Sequence, residues 1–113
     1  MDEGDIYLAF FPFGDLPGRK LRPVLLLTPP LGFIPELLVA YISSVMPSPL
    51  LPSDLFIDPG KPAFSSTNLK KPSILRLHKQ STLHQSSIVR FLGRLSPTLL
   101  NDVKDRLRVL LNL

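Results

Sequence analysis

Cysteine is absent from the 113 residues. That excludes a disulfide framework, a thiolate nucleophile and every Cys-ligated zinc site. Histidine occurs twice, at His78 and His84, too rarely for most His-rich metal sites, so neither metal nor cofactor is expected. Long apolar runs are missing too. The longest, Val24 to Leu27 and Ile34 to Ile42 (broken by Pro35 and Glu36), fall well short of the roughly 18–20 residues that span a bilayer. No membrane association is expected. The opening Met1-Asp2-Glu3-Gly4-Asp5 is acidic, the wrong charge for a secretory leader, so a cytoplasmic location is expected. Glycine-rich phosphate loops, Gly-x-Gly-x-x-Gly, Gly-x-Ser-x-Gly and His-Glu-x-x-His are all lacking. A nucleotide-driven motor, a dinucleotide enzyme and a zinc protease are thereby disfavoured.

Proline, by contrast, is abundant: thirteen residues, more than double the usual share of about 5%. Proline is poorly tolerated inside helices and central strands, so this density implies short elements with stiff connections. A β-rich barrel fits better than a helical bundle. The length corresponds to one domain, residues 1–113, able to bury a modest core. With 44% hydrophobic and 19% charged residues the chain reads as globular. Its net charge of +4 suits an anionic partner, since cation–phosphate contacts supply much of non-specific nucleic-acid affinity.

Ile6 to Phe11 is rich in β-formers and reads as a first strand, followed by a turn-rich loop to Gly18. Arg19, Lys20 and Arg22 precede a nearly continuous apolar strand, Pro23 to Thr28, whose continuity implies burial on both faces. Glu36 to Ser43 is a third strand, and Met46 to Pro52, with three prolines, is irregular. Asp54 to Asp58 reads as a short strand with Leu55 and Ile57 inward and Phe56 outward. A polar loop over 64–71 contains Asn68, suited to a left-handed position. Ser73 to Lys79 alternates, with Ile74, Arg76 and His78 on one face; His84 falls in a loop-like stretch, and Ile88 to Leu92 is the last strand. Ser96 as N-cap and Pro97 at the first position open a terminal helix. Its apolar face runs through Leu99, Leu100, Val103, Leu107, Leu110 and Leu111, with Asp102 and Arg106 paired weakly outside.

The residues that could carry chemistry are few. Arg76 and His78 lie two apart on a strand, roughly 6.5–7 Å between backbones. An imidazole exchanges protons near neutral pH, and a guanidinium grips a phosphate and stabilises its developing charge. Together they suit phosphodiester cleavage in RNA, where the 2′-hydroxyl is the nucleophile. Taken singly, each residue has a plainer reading: Arg22 a solvated charge at a strand start, Ser43 an ordinary strand end, His78 a packed or surface side chain.

The order of segments shifts that balance. Gly4-Asp5-Ile6-Tyr7-Leu8, then Phe11-Pro12-Phe13, then Leu21-Arg22-Pro23-Val24-Leu25-Leu26-Leu27 resembles the opening of the MazF/PemK toxins. Val39 to Ser44 resembles the family's strand ending in Thr-Ser or Ser-Ser, and Lys70 to Leu77 a later strand, ahead of Thr82-Leu83-His84. Leu92-Gly93-Arg94-Leu95-Ser96 before a helix resembles its close. The resemblance implies a mainly β fold with a terminal helix, an SH3-like barrel of the MazF/PemK/CcdB toxin type, working as a homodimer. It implies metal-independent cleavage of single-stranded RNA to 2′,3′-cyclic phosphate and 5′-hydroxyl ends, and a cognate antitoxin as partner. Carried over by position, Arg22, Ser43 and Arg76 match functional positions. His78 stands where some members carry an acid and is the candidate general base. Arg19, Lys20, Ser44, Lys70 and Lys71 are candidate RNA contacts. The alternative is an inactive toxin or a CcdB-like one that binds protein through the end of the helix, although Leu110-Leu111-Asn112-Leu113 offers no aromatic or charged anchor.

Overall fold

The apolar alternation read from the sequence becomes six antiparallel strands and a terminal helix. These are β1 (Asp5–Phe10), β2 (Leu21–Leu26), β3 (Glu36–Ser43), β4 (Asp54–Ile57), β5 (Ser73–His84), β6 (Ile88–Arg94) and α1 (Pro97–Leu111). The computed structural model describes residues 1–11 and 20–113; the loop expected over 12–18 and the candidate contact Arg19 lie outside the described residues. The strands form one sheet in the order β4-β5-β3-β2-β1-β6.

Three strands separate β5 from β6 in that order, yet only the 3-10 turn Gln85–Ser87 joins them in the chain. The sheet must therefore curl until the two strands approach. Leu83 of β5 and Ile88 of β6 duly meet in one apolar cluster with Ala9, Val24, Leu26, Leu37 and Val39. The opposite face carries the larger cluster, in which Ile6, Leu25, Ala40, Ile42, Leu55, Ile57, Leu75 and Leu77 pack with Val103 of α1. Val24, Leu25 and Leu26 are fully buried, as their unbroken run predicts. Pro23 fits inside β2 because the ladder to β3 begins only at Val24, leaving the proline with one hydrogen-bonding neighbour, β1.

Several expectations are corrected. Strand β5 extends to His84, five residues beyond Lys79. Its polar second half hid the periodicity, but it pairs with β3 through Gln80–Ala40, Thr82–Leu38 and His84–Glu36. Residues 62–67, overlapping the start of the polar segment read as a loop, form a 3-10 helix that starts on Pro62 and is capped by Asn68, whose φ of 53° is left-handed as expected. This helix leans on β6 so closely that Gly93 is required: a Cβ there would stand 2.3 Å from the Ser66 carbonyl oxygen. Helix α1 is capped as predicted, with the Ser96 hydroxyl accepting from the Leu99 N–H. The apolar stripe of α1 outruns the sheet, however, and Leu110 and Leu111 are exposed. Among the described residues no helix is long and apolar enough to cross a membrane.

Candidate active site

Register brings the candidate residues to one face. Tyr41 of β3 sits between Val24 of β2 and Arg76 of β5, and Arg76 in turn pairs with Asp54 of β4. Side chains alternate along a strand, so Arg22 shares the face of Val24 and Ser43 that of Tyr41. Continuing the β2–β3 register two residues brings Arg22 level with Ser43. Arg22 and Arg76 then stand about 12 Å apart at the backbone, by strand spacing and rise, within reach of one phosphodiester for two long side chains.

A break in the ladder shapes the centre of this face. Ala40 pairs with Gln80 but Tyr41 pairs with Arg76, so Leu77, His78 and Lys79 form a bulge in β5. The Gln80 amide closes it by donating to the Leu77 carbonyl at 2.8 Å. Leu77 anchors the bulge in the core, while His78 and Lys79 are exposed. The Lys79 ammonium lies 5.9 Å from the centre of the Tyr41 ring, which also packs against Phe11 at 5.4 Å.

Beside the bulge, the Asp54 carboxylate is fully enclosed. One oxygen, Oδ1, accepts from Arg76 Nε at 2.7 Å and lies 4.0 Å from His78 Nδ1; the other accepts the Leu51 N–H at 2.8 Å. Desolvation is the largest influence on His78 and lowers its pKa below the ordinary value; the Arg76 charge adds to this, Asp54 opposes it and Lys79 lowers it further. The imidazole therefore stays neutral, and able to accept a proton, to a lower pH than a solvated histidine.

The remaining predicted residues are placed as follows. Arg22 is partly buried on β2 opposite Ala9. Ser43 is buried at the end of β3, its hydroxyl accepting the Val45 N–H at 3.0 Å and donating to the Val45 carbonyl at 3.3 Å, so it closes the turn. Lys20, Ser44, Lys70 and Lys71 are all exposed. They flank the start of β2, the end of β3 and the start of β5, which the antiparallel order gathers at one end of the sheet. His84 is the last residue of β5 rather than part of a loop, and its Nδ1 accepts the Ser86 N–H at 3.0 Å. Among the described residues no three His, Asp or Glu side chains converge as a metal site would require.

Two participants escape the sequence reading, Asp54 and Tyr41; Lys79, a solvated charge or phosphate contact by sequence, is placed over the Tyr41 ring. The sequence places Asp54 only at the start of a short strand, and the cross-strand pairing with Arg76 reveals its part. Arg106, read as an exposed partner of Asp102, does more. Its Nε donates to Asp102 at 2.8 Å, and its Nη1 donates to the carbonyls of Pro52 at 2.8 Å and Asp54 at 2.9 Å, tying α1 to the start of β4.

Comparison with known proteins agrees with this architecture. The Mycobacterium tuberculosis toxin MazF-mt6 superposes with a TM-score of 0.74 at 20% identity, covering 96% of this chain and 97% of that one. An endoribonuclease from a mycobacterial species, solved in complex with its cognate antitoxin, superposes with a TM-score of 0.70 at 14% identity, covering 100% of this chain and 96% of its own. MazF from Deinococcus radiodurans gives a TM-score of 0.69 at 17% identity, covering 100% of this chain and 97% of its own. These likenesses establish the fold; at such identities function has to be argued from the site. Comparison with curated proteins returned no match. The family profile of PemK-like, MazF-like toxins of type II toxin–antitoxin systems matches residues 2–111, and the chain belongs to that family.

Proposed function

We propose that this toxin is a metal-independent endoribonuclease that cuts single-stranded RNA with a sequence preference. The observation that carries the reading is the gathering of Arg22, Arg76 and His78 on one sheet face, with Arg76 and His78 meeting at the buried Asp54. His78 takes the proton of the 2′-hydroxyl, whose oxygen attacks the adjacent phosphorus. The new O2′–P bond forms as the P–O5′ bond breaks. The leaving 5′-oxygen keeps the bonding pair and takes a proton from water, giving a 2′,3′-cyclic phosphate and a 5′-hydroxyl. Arg76 and Arg22 stabilise the charge on the non-bridging oxygens, in the manner of guanidinium–phosphate recognition. Ser43 contributes through the turn it closes. Arg19, Lys20, Ser44, Lys70 and Lys71 contact flanking nucleotides, and the charge of +4 favours the encounter. A homodimer with RNA along the groove between the copies, and a cognate antitoxin competing for that groove, complete the proposal. The antitoxin-bound structural neighbour and the family membership support it.

Incubation of the purified chain with mixed-sequence RNA in EDTA, followed by mapping of ends, tests it. Discrete cuts with 5′-hydroxyl ends are expected; intact RNA from a folded protein would sink the reading. One observation favours a second reading, a non-enzymatic toxin acting by protein contact: Val109, Leu111 and Leu113 at the helix end are 77%, 54% and 87% exposed. Recovery of a topoisomerase complex alongside intact RNA would put that reading first.

A further inference from the structure

We propose that Asp54 is a positioning residue, which selects the His78 tautomer protonated on Nδ1 and fixes the Arg76 guanidinium through Nε. The catalytic consequence rests on the ribonuclease reading above; the tautomer does not.

The argument begins with burial. The Asp54 side chain has no exposed surface, so its carboxylate has exchanged water for protein partners. Oδ2 is satisfied by the Leu51 N–H and Oδ1 by Arg76 Nε. His78 Nδ1 faces the same Oδ1 from 4.0 Å. An ionised carboxylate only accepts hydrogen bonds, so the imidazole nitrogen turned toward it is favoured as the N–H. Nε2 is then left with its lone pair, the form a general base needs. At 4.0 Å the contact is electrostatic rather than a hydrogen bond, and the carboxylate favours the proton on the ring nitrogen nearer to it.

Asp54 is itself held from three directions. Its N–H donates to the Leu51 carbonyl at 2.9 Å, its carbonyl accepts from Arg106 Nη1 of α1, and its backbone pairs with Arg76 in the ladder. The charged groups around His78 are Arg76 and Lys79 on β5 and Asp54 on β4, with Arg106 of α1 behind Asp54; Tyr41 of β3 lies under Lys79. Asp54 is thus the carboxylate that meets Arg76 and His78, while Asp102 pairs with Arg106, and the same Asp54 oxygen serves both Arg76 and His78. Among the described residues Arg76 is bound through Nε, an arrangement that turns its terminal nitrogens to the service of a phosphate.

The test is nitrogen-resolved NMR of the His78 imidazole in the full chain, at a pH where the ring is neutral, with Asp54→Asn beside the parental protein. The parental spectrum is expected to show the Nδ1–H tautomer, and Asp54→Asn to lose its dominance. A predominant Nε2–H tautomer in the parental chain overturns the proposal without any variant, so misfolding of Asp54→Asn cannot shield it. An unchanged tautomer in a folded Asp54→Asn also overturns it. In the cleavage assay Asp54→Asn is expected to lower kcat about 10²-fold with KM near parental, the scale of a lost general base. Asp54→Glu, which restores a carboxylate, is expected to recover part of the rate. Parental kcat in Asp54→Asn with the tautomer lost would overturn the catalytic role. Intact RNA with the parental chain would overturn the ribonuclease reading, while the spectrum would still decide the role of Asp54 toward His78.

Discussion

The molecule builds the same device twice, at Asp54 and at Asp5, and uses it differently. Each aspartate opens a strand, accepts the N–H of the residue three positions earlier (Leu51 at 2.8 Å, Asp2 at 2.9 Å) and returns its own N–H to that residue's carbonyl. Each also accepts Nε of its cross-strand arginine, Arg76 at 2.7 Å and Arg94 at 2.8 Å. The surroundings differ. Arg94 is 58% exposed and meets a second carboxylate, Asp2, at 3.4 Å. Arg76 is 15% exposed and stands among His78, Lys79 and Tyr41. One pair is therefore saturated with negative charge and ties the N-terminus to β6, while the other keeps an excess of positive charge available to a phosphate. An Asp–Arg pair at a strand start is a structural element, and its neighbours decide whether it becomes a site.

Breaking the two pairs in parallel sharpens that contrast most. Arg76→Ala is expected to lower RNA cleavage at least 10²–10³-fold, the usual loss for one preorganised charge donor. It should also cost about 3–5 kcal/mol in denaturant unfolding, because it strands a buried carboxylate. Arg94→Ala is expected to leave cleavage within about twofold and to cost about 1–3 kcal/mol, because it too leaves a buried carboxylate, Asp5, short of a partner, while water at the exposed Arg94 position replaces it in part. Equal effects on cleavage would erase the distinction. Next in size is Gly93→Ala, beside the Asp5–Arg94 pair. The clash with Ser66 and Thr67 should destabilise by about 1–3 kcal/mol, with the activity of the folded fraction kept at low temperature.

The pH dependence gives a third, smaller test. His78 is lowered in the fold, so between its folded pKa and about 6.5 the unfolded chain binds more protons. Stability contributed by this residue is present above about pH 6.5 and is lost as pH falls through the folded pKa. The acid limb of kcat/KM should accordingly lie below that of a solvated histidine and vanish in His78→Gln. A limb unchanged in His78→Gln would remove His78 from the chemistry. Smallest of all, Ser96→Ala should cost about 1 kcal/mol through the lost helix cap, without altering cleavage by folded protein.

Local chemistry alone determined much of this protein. The segment Glu36 to Ser43 read as a strand at the observed limits of β3; Ser96 and Pro97 marked the helix start; Asn68 marked a left-handed turn; and the run at Val24 foretold a doubly buried strand. Each is a property of a few neighbouring residues. Tertiary structure decided the rest. The polar second half of β5 is a strand because β3 offers it a continuous ladder, which its own periodicity does not announce. The bulge at Leu77 to Lys79 lies where the register shifts between Ala40 and Tyr41, a mismatch visible only once both strands are paired. Asp54 becomes part of the site because pairing sets it beside Arg76, twenty-two positions away, where burial gives its carboxylate a strength that no reading of Asp54 to Asp58 in isolation could assign.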